Sequence, residues 1–595
     1  MFIKNFHNIL DKELIDIVAE LQNSNQPYIS KHSKDVNVQK SYAFLVWFIR
    51  FYVHIYQYEE LINEGVGDSS CDIIFDKINH QNERVFYIIQ SKWKSRPDKI
   101  DKNELLKSLN DFDTILRGSS RNPNQSTEKK LLELRQHLKA NGEVKFVFIS
   151  TCKYEQDAEQ NIATFNQENI KANFLLIDIE KIRLDYIDKK FKNISPRNPL
   201  EMYKNPEESP IRLDIISKRN YGMIKIEKPF DACVVLVRPK IIWQLFKEYE
   251  FSLFQKNVRN PLLASEFNQE IEKTALEEPT FFWYYNNGIT AITSRLPAIS
   301  NDAETIEITG LQIINGAQTV YSIYRAYENA NTTRREIINE EMLVSFRLLK
   351  SGSKDSDLKI TRYTNSQNPV LDSDFFANDD IQIQLQQASY QYNFWYEKRR
   401  AEFRAYPEGI NIVENTDFAL LYLIYQLQEP NIAINNLRQQ EANAKKQNLN
   451  FVSHRDNPNG LYEKIFNKKI IFADMLAAYF IFTAIPKTGR KNSTMYFFEL
   501  ALSKIVFQKY FKAKFNLNIN SVNEKIIEWA EKQKTAFLQV LSFVRSFFLQ
   551  TIDTEAKLIE LMQKSYLYQQ LRDRLESQTI TAQEIESIEL TAEPK

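Results

Sequence analysis

Asp72, Gln90 and Lys92 bring together a carboxylate, an amide oxygen and a cation, the groups that phosphodiester hydrolysis requires. That reaction uses oxygen donors to hold Mg²⁺ (or Mn²⁺) and a cation beside the attacking water, where it stabilises hydroxide and developing phosphate charge. Two apolar, β-branched runs, 72–78 and 85–92, flank the turn-like stretch NHQNER at 79–84. With the turn centred between Gln81 and Asn82, antiparallel pairing sets Asp72 opposite Gln90–Lys92. Residues i and i+2 on a strand share a face, so Gln90 and Lys92 point the same way. Asp72 and Gln90 are then the expected metal ligands, with the Ser91 carbonyl as a further donor and Lys92 facing the water. Strand ends are commonly polar, so the motif alone says little and its surroundings carry the weight.

Gln90 is a neutral ligand, and a second carboxylate is wanted beside Asp72. Asp68, in the entry loop GVGDSS, is the nearest candidate, and Glu59, Glu60 and Glu64 precede it. Asp76 shares the Asp72 face but sits nearer the turn. The elements that must hold these groups follow from periodicity. Residues 6–23 and 36–64 read as amphipathic helices, the second aromatic, and 101–117 and 127–140 as two more. VKFVFIS (144–150) reads as a buried strand, followed by a helix near 154–169 and a strand at 173–179, which predicts a partly parallel sheet. Aromatic helix, Gly-rich loop, Ile-Ile run into Gln90 and following helix together resemble a restriction-endonuclease-like domain of the PD-(D/E)xK type, in a D…QxK variant. Related nucleases often carry Glu in the middle of the first helix, where this chain has Leu45. Either another acid substitutes, or the site is impaired.

The 595 residues are too many for one core, and 43% apolar content suits several packed domains. Lys plus Arg equals Asp plus Glu at 77 each, so a nucleic-acid surface must be a local patch. Cys71, Cys152 and Cys233 lie far apart without ligand spacing, and no apolar run reaches 18 residues. The expectation is a cytoplasmic protein with no membrane partner.

Beyond a Pro-containing stretch, amide-rich turns recur: FQKNVR (254–259), FWYYNNGIT (282–290), INGAQT (314–319) and TNSQNPV (364–370). Asn and Gly suit positive φ, and INGAQT stands where a strand yields to a helix, whose N–H groups can accept phosphate. Arg259 could pair with phosphate, and Asn287, Asn315, Gln318 and Asn365 could read a base or ribose. Trp283, Tyr284 and Tyr285 can stack on bases, but core packing is the preferred reading for them. Lys398, Arg399 and Arg400, beside Trp395 and Tyr396, form a basic cluster on an expected helix, as a phosphate face or as solvated charge. The four motifs, in this order, resemble the AIPR (abortive infection phage resistance) family. That resemblance implies a bacterial anti-phage defence protein.

The expected layout is an α/β restriction-endonuclease-like domain over 1–180, a connecting region over 181–230 and an α/β AIPR-like domain over 231–405. A mostly helical domain over 406–575 and a polar tail over 576–595 complete it. The expected activity is a metal-dependent nuclease acting on nucleic acid, DNA in preference to RNA, with a homodimer face among the C-terminal helices and a phage-derived or nucleotide trigger. The alternative is a catalytically impaired sensor that binds nucleic acid or a nucleotide.

Overall fold

The computed structural model describes residues 2–53, 61–63, 71–78, 83–95, 102–117, 125–154, 156–169, 171–192, 194, 206–207, 209–216, 224–257, 266–296, 303–365, 376–399, 402–442, 460–485, 494–516, 522–588 and 590. They divide into two compact units, Met1–Thr361 with Phe403–Ala405, and Arg362–Glu402 with Tyr406–Lys595.

The first unit opens with α1 (Phe2–Asn23), α2 (Pro27–Lys31) and α3 (Val36–Phe48). Leu10, Leu14, Val18 and Leu21 of α1 recur at helical spacing and are buried. Asp35 caps α3, accepting from the Asn37 and Val38 N–H groups at 3.1 Å. The helix expected over 36–64 is shorter: α3 gives way to a π-helical turn at Ile49–Val53, and Ile62 lies extended, bridging to Ile73.

A four-stranded sheet follows in the order β1 (Ile73–Ile78), β2 (Arg84–Lys92), β3 (Glu143–Ser150), β4 (Ala172–Ile177). β1 is antiparallel to β2, and β2, β3 and β4 run parallel. Between β2 and β3 stand α4 (Lys102–Leu116) and α5 (Gln125–Lys139), and α6 (Gln156–Glu168) precedes β4. The sheet is covered on both faces, as parallel strands require. Val85, Tyr87 and Ile89 pack with α1, α3 and α7 (Ile179–Phe191), whereas Phe86 and Ile88 pack with α4, α5 and α6.

The stretch read as a connector also contains β5 (Pro210–Asp214) and β6 (Ile224–Ile226). A five-stranded sheet is built from β6, β7 (Ala232–Val237), β8 (Ile289–Thr293), β10 (Gln312–Asn315) and β11 (Val344–Lys350), in the order β10-β8-β11-β7-β6. β9 (Thr305–Thr309) pairs separately with β5. The helices are α8 (Pro239–Tyr249), α9 (Glu266–Glu277), α10 (Phe282–Tyr285), α11 (Ala317–Asn329), α12 (Thr332–Glu341) and α13 (Lys354–Asn365). Within the second amide-rich motif α10 precedes β8, and Phe282 anchors that short turn of helix in the core.

The second unit is largely helical, with one parallel pair, β12 (Phe394–Glu397) and β13 (Asn411–Glu414). Its core gathers Phe498, Phe507, Val540 and Phe548 from Met495–Phe515 and Lys534–Thr551. The region expected to be a polar tail after 575 carries a further helix, Ala582–Glu586. A capping box starts Ala582–Glu586, Ile580 and Ile585 are buried, and the Tyr510 hydroxyl donates to Glu586 at 2.9 Å. Among the described residues no single helix is long and apolar enough to cross a membrane.

Candidate active site

Strand register brings the hairpin residues together. Ile73 pairs with Ile89 and Ile74 with Ile88, so Asp72 falls across from Gln90. The Ser91 N–H donates to Asp72 Oδ2 at 2.7 Å, fixing the carboxylate against the next strand. On the opposite edge the Asn63 N–H donates to the Asp72 carbonyl at 2.8 Å. Asn63 is itself tied by its Nδ2 to the Cys71 carbonyl (3.2 Å) and by Lys130 Nζ to its Oδ1 (3.2 Å). The sequence reading placed this supporting segment in the helix expected over 36–64.

Alternation places the three side chains on one face. Ile74, Phe86, Ile88, Phe146 and Phe148 form an apolar floor with Leu105 and Phe112 of α4. Asp72, Gln90 and Lys92 continue the same parity beyond it, where the sheet turns polar. Gln90 is only 5% exposed, and among the described residues its buried Oε1 has no hydrogen-bond partner. Leaving such a group unsatisfied costs about 1–3 kcal/mol. Lys92 is half-buried at the strand end, where its carbonyl accepts from the Thr151 N–H at 3.2 Å.

Oxygen donors of this kind are the ones a hard divalent cation takes. Mg²⁺ keeps several of its waters and needs only one or two protein carboxylates. Asp72 supplies one, and the partnerless Gln90 oxygen lies across from it. No group of three or more His, Cys, Asp or Glu side chains placed to hold a metal occurs among the described residues. Asp68, Glu59, Glu60 and Glu64 lie outside the described residues. Asp76 is engaged elsewhere, accepting from Arg84 Nε at 2.7 Å toward the hairpin turn. Leu45 packs into the cluster on the other face of the sheet with Trp47 and Ile89. The absence of an acid at that position therefore takes nothing from the Asp72 face.

Two of the amide turns meet at one end of the central sheet. Asn315 pairs with Thr290 across antiparallel β10 and β8, so INGAQT and NNG are neighbours. Gly288 has φ +75° and Gly316 φ +92°. A Cβ on Gly316 would stand 2.7 Å from the Gly288 carbonyl oxygen, and one on Gly288 would stand 2.3 Å from that of Ser345. The glycines are therefore explained by close packing of turn on turn. Gly316 caps α11 with no side-chain hydrogen bond, Asn287 is exposed, and Asn315 and Gln318 are half-buried.

The aromatic run contradicts the core expectation. Only Phe282 is buried; Trp283, Tyr284 and Tyr285 are 48%, 74% and 61% exposed, together with Phe281. Phe281 stacks on Tyr285 with ring centroids 5.7 Å apart, and Trp283 meets Tyr284 edge-on at 5.4 Å. One turn of helix directs successive residues around its axis, and only one of them can face the core.

The basic cluster is also placed differently from expectation. Lys398 and Arg399 follow strand β12 and are buried, Arg399 being 3% exposed. Both face Glu402, with Lys398 Nζ at 3.1 Å and Arg399 Nε at 3.7 Å from its Oε1. Gln386 donates to the other Glu402 oxygen at 2.7 Å. The pair thus forms neither a phosphate face nor a solvated helix face; a buried carboxylate draws both cations inward. Arg259 and Arg400 lie outside the described residues. Asn365 ends α13, with its side chain likewise outside them.

Comparison with curated proteins and with solved structures finds no match. The family model of the AIPR protein matches residues 254–587, more than half of the chain. All four amide-rich motifs lie inside that span, and the first begins at its first residue. The chain belongs to the AIPR, or abortive infection phage resistance, family.

Proposed function

We propose that this AIPR family member is a metal-dependent nuclease of anti-phage defence. Phosphodiester bonds, in DNA in preference to RNA, would be hydrolysed at the Asp72–Lys92 hairpin in the cytoplasm. One observation carries the reading: a buried Gln90 oxygen without a partner lies across from a carboxylate fixed at 2.7 Å by the next strand. The topology supports it. An aromatic helix precedes the antiparallel strand pair, and further helices and a parallel strand follow it, the surroundings on which the resemblance rests.

In this reading Asp72 and Gln90 hold Mg²⁺ or Mn²⁺, with Asp68 as a further ligand. When bound, the cation polarises the phosphoryl group and offsets its developing charge. Lys92, two residues after Gln90 on the same face, orients the attacking water and stabilises negative charge as the phosphorus–oxygen bond breaks. The apolar floor keeps bulk water from beneath the site and strengthens these interactions.

The test is cleavage of DNA and RNA with Mg²⁺ or Mn²⁺ by the wild type, Asp72→Ala and Lys92→Ala. Each substitution should lower the rate about 10²–10³-fold, the scale of losing one stabilising group. Cleavage unchanged in both variants would sink the assignment. A second reading, a sensor on an inactive nuclease fold, draws on the exposed rings beside Asn287 and the uncapped α11. Binding of nucleic acid without cleavage of any substrate would select it.

A further inference from the structure

The alternation of side chains continues past Lys92, where β2 ends. Lys94 is two residues beyond Lys92 and keeps its parity, while Trp93 between them turns to the opposite face and packs with Phe44 and Ile89. The Lys94 backbone is held at both ends. Its N–H donates to Thr151 Oγ1 at 2.9 Å, and its carbonyl meets Thr151 Oγ1 at 3.3 Å and His7 Nε2 at 2.8 Å. His7 in turn stacks on Trp93, with ring centroids 4.7 Å apart. A flexible strand end would need none of these ties.

The Lys94 side chain reaches toward α4, on the face that carries Asp72, Gln90 and Lys92. Its Nζ lies 3.2 Å from Glu104 Oε2, in the first turn of that helix. Glu104 is 17% exposed and Lys94 is 42% exposed, so the carboxylate is sheltered and the ammonium opens to solvent. The contact is close but not aligned as a hydrogen bond, because Glu104 Oε2 has no hydrogen-bond partner. An ammonium carries three N–H donors, and here a neighbouring carboxylate restrains it without taking them up in aligned bonds.

We propose that Lys94 is a second phosphate-contacting lysine of the Asp72 site, binding a backbone phosphate next to the scissile one. The inference rests on the nuclease reading of that site. Successive phosphates of an extended strand are spaced at a distance that residues two apart on a β-strand, about 6.6–6.8 Å, can match. Lys92, the last residue of β2, and Lys94, held just beyond it by Thr151, then address neighbouring phosphates. Lys94 contributes binding that is the same in the ground and transition states, so its loss acts on KM and not on kcat.

The experiment uses the full chain carrying Asp72→Ala, so that a fluorescein-labelled DNA oligonucleotide is not consumed, and follows anisotropy across a salt series. Adding Lys94→Ala should reduce the slope of log Kd against log salt by about one, and Lys94→Arg should preserve it. In the otherwise wild-type chain, Lys94→Ala should raise KM for cleavage and leave kcat in place. Thermal unfolding of each variant controls for folding. An unchanged slope and KM in Lys94→Ala overturns the inference while leaving the nuclease reading standing. Absent cleavage by the wild type, with the slope still falling, overturns the nuclease reading and keeps Lys94 as a nucleic-acid contact. No salt-dependent binding by the parent overturns both.

Discussion

The two larger sheets of the first unit depart from ordinary burial in opposite directions. The N-terminal sheet takes polar atoms inside: Gln90 Oε1 without a partner, the half-sheltered Glu104, and Asp185 under Tyr52. The central sheet leaves apolar atoms outside, with Phe281, Trp283, Tyr284 and Tyr285 exposed in five consecutive residues. A soluble fold gains from neither arrangement. A buried polar cluster is fixed and small, as chemistry at one atom demands. An open ring cluster is broad, as contact with a flat partner demands.

Gln90→Leu tests the first half of the comparison most sharply. Leucine removes the partnerless oxygen and fills similar volume, so stability should stay level or rise by about 1 kcal/mol. Cleavage should fall about 10²–10³-fold at the same time. Thermal unfolding and a cleavage assay on one preparation measure both. A variant that loses stability and keeps activity would mark Gln90 as a structural residue.

Gly288→Ala probes the turn end of the central sheet. The methyl would stand 2.3 Å from the Ser345 carbonyl oxygen at φ +75°. Left-handed strain and overpacking together should destabilise the unit by about 2–4 kcal/mol. A loss under about 1 kcal/mol, read from chemical denaturation, would show that the turns yield and that their glycines serve something other than packing.

Asp185 gives the N-terminal region a pH signature. Burial pushes its carboxyl up to about 6, against the pull of Lys181 (2.6 Å) and the Tyr52 hydroxyl (2.8 Å). A carboxyl whose folded pKa exceeds its unfolded value favours the fold when protonated. Its contribution is complete below the unfolded value near 4 and is lost as pH rises through about 6. The change amounts to about 2–3 kcal/mol. Asp185→Asn should flatten the fall in unfolding temperature between those two pH values, and an equal fall in the variant would assign it to other groups.

Much of the hairpin was legible in the residues. β-branched alternation and a polar turn give register directly, and the Asp72–Gln90 juxtaposition follows from counting. The family motifs were legible for a similar reason, since short strings of Asn and Gly mark turns wherever they occur. What escaped depends on tertiary partners. Lys398 and Arg399 read as surface charge until Glu402 folds over them. The 580–586 segment reads as tail because its two buried isoleucines are sparse among polar neighbours. The aromatic run escaped because periodicity assumes that apolar side chains point inward, and there four of five do not.

That exception sets the smallest expected effect. Trp283→Ala and Tyr284→Ala remove large exposed rings whose neighbours are other exposed rings. Stability should change by no more than about 0.5 kcal/mol in either variant, because little buried area is lost. If the cluster stacks on bases, affinity for a single-stranded oligonucleotide should weaken by about 1–3 kcal/mol per ring removed. The two measurements separate the regions cleanly. In the central sheet a substitution would change binding and spare the fold, whereas Gln90→Leu in the N-terminal sheet would change catalysis and spare binding. A large stability loss in Trp283→Ala would instead show that the rings pack against something in the folded chain, and the contrast between the two sheets would dissolve.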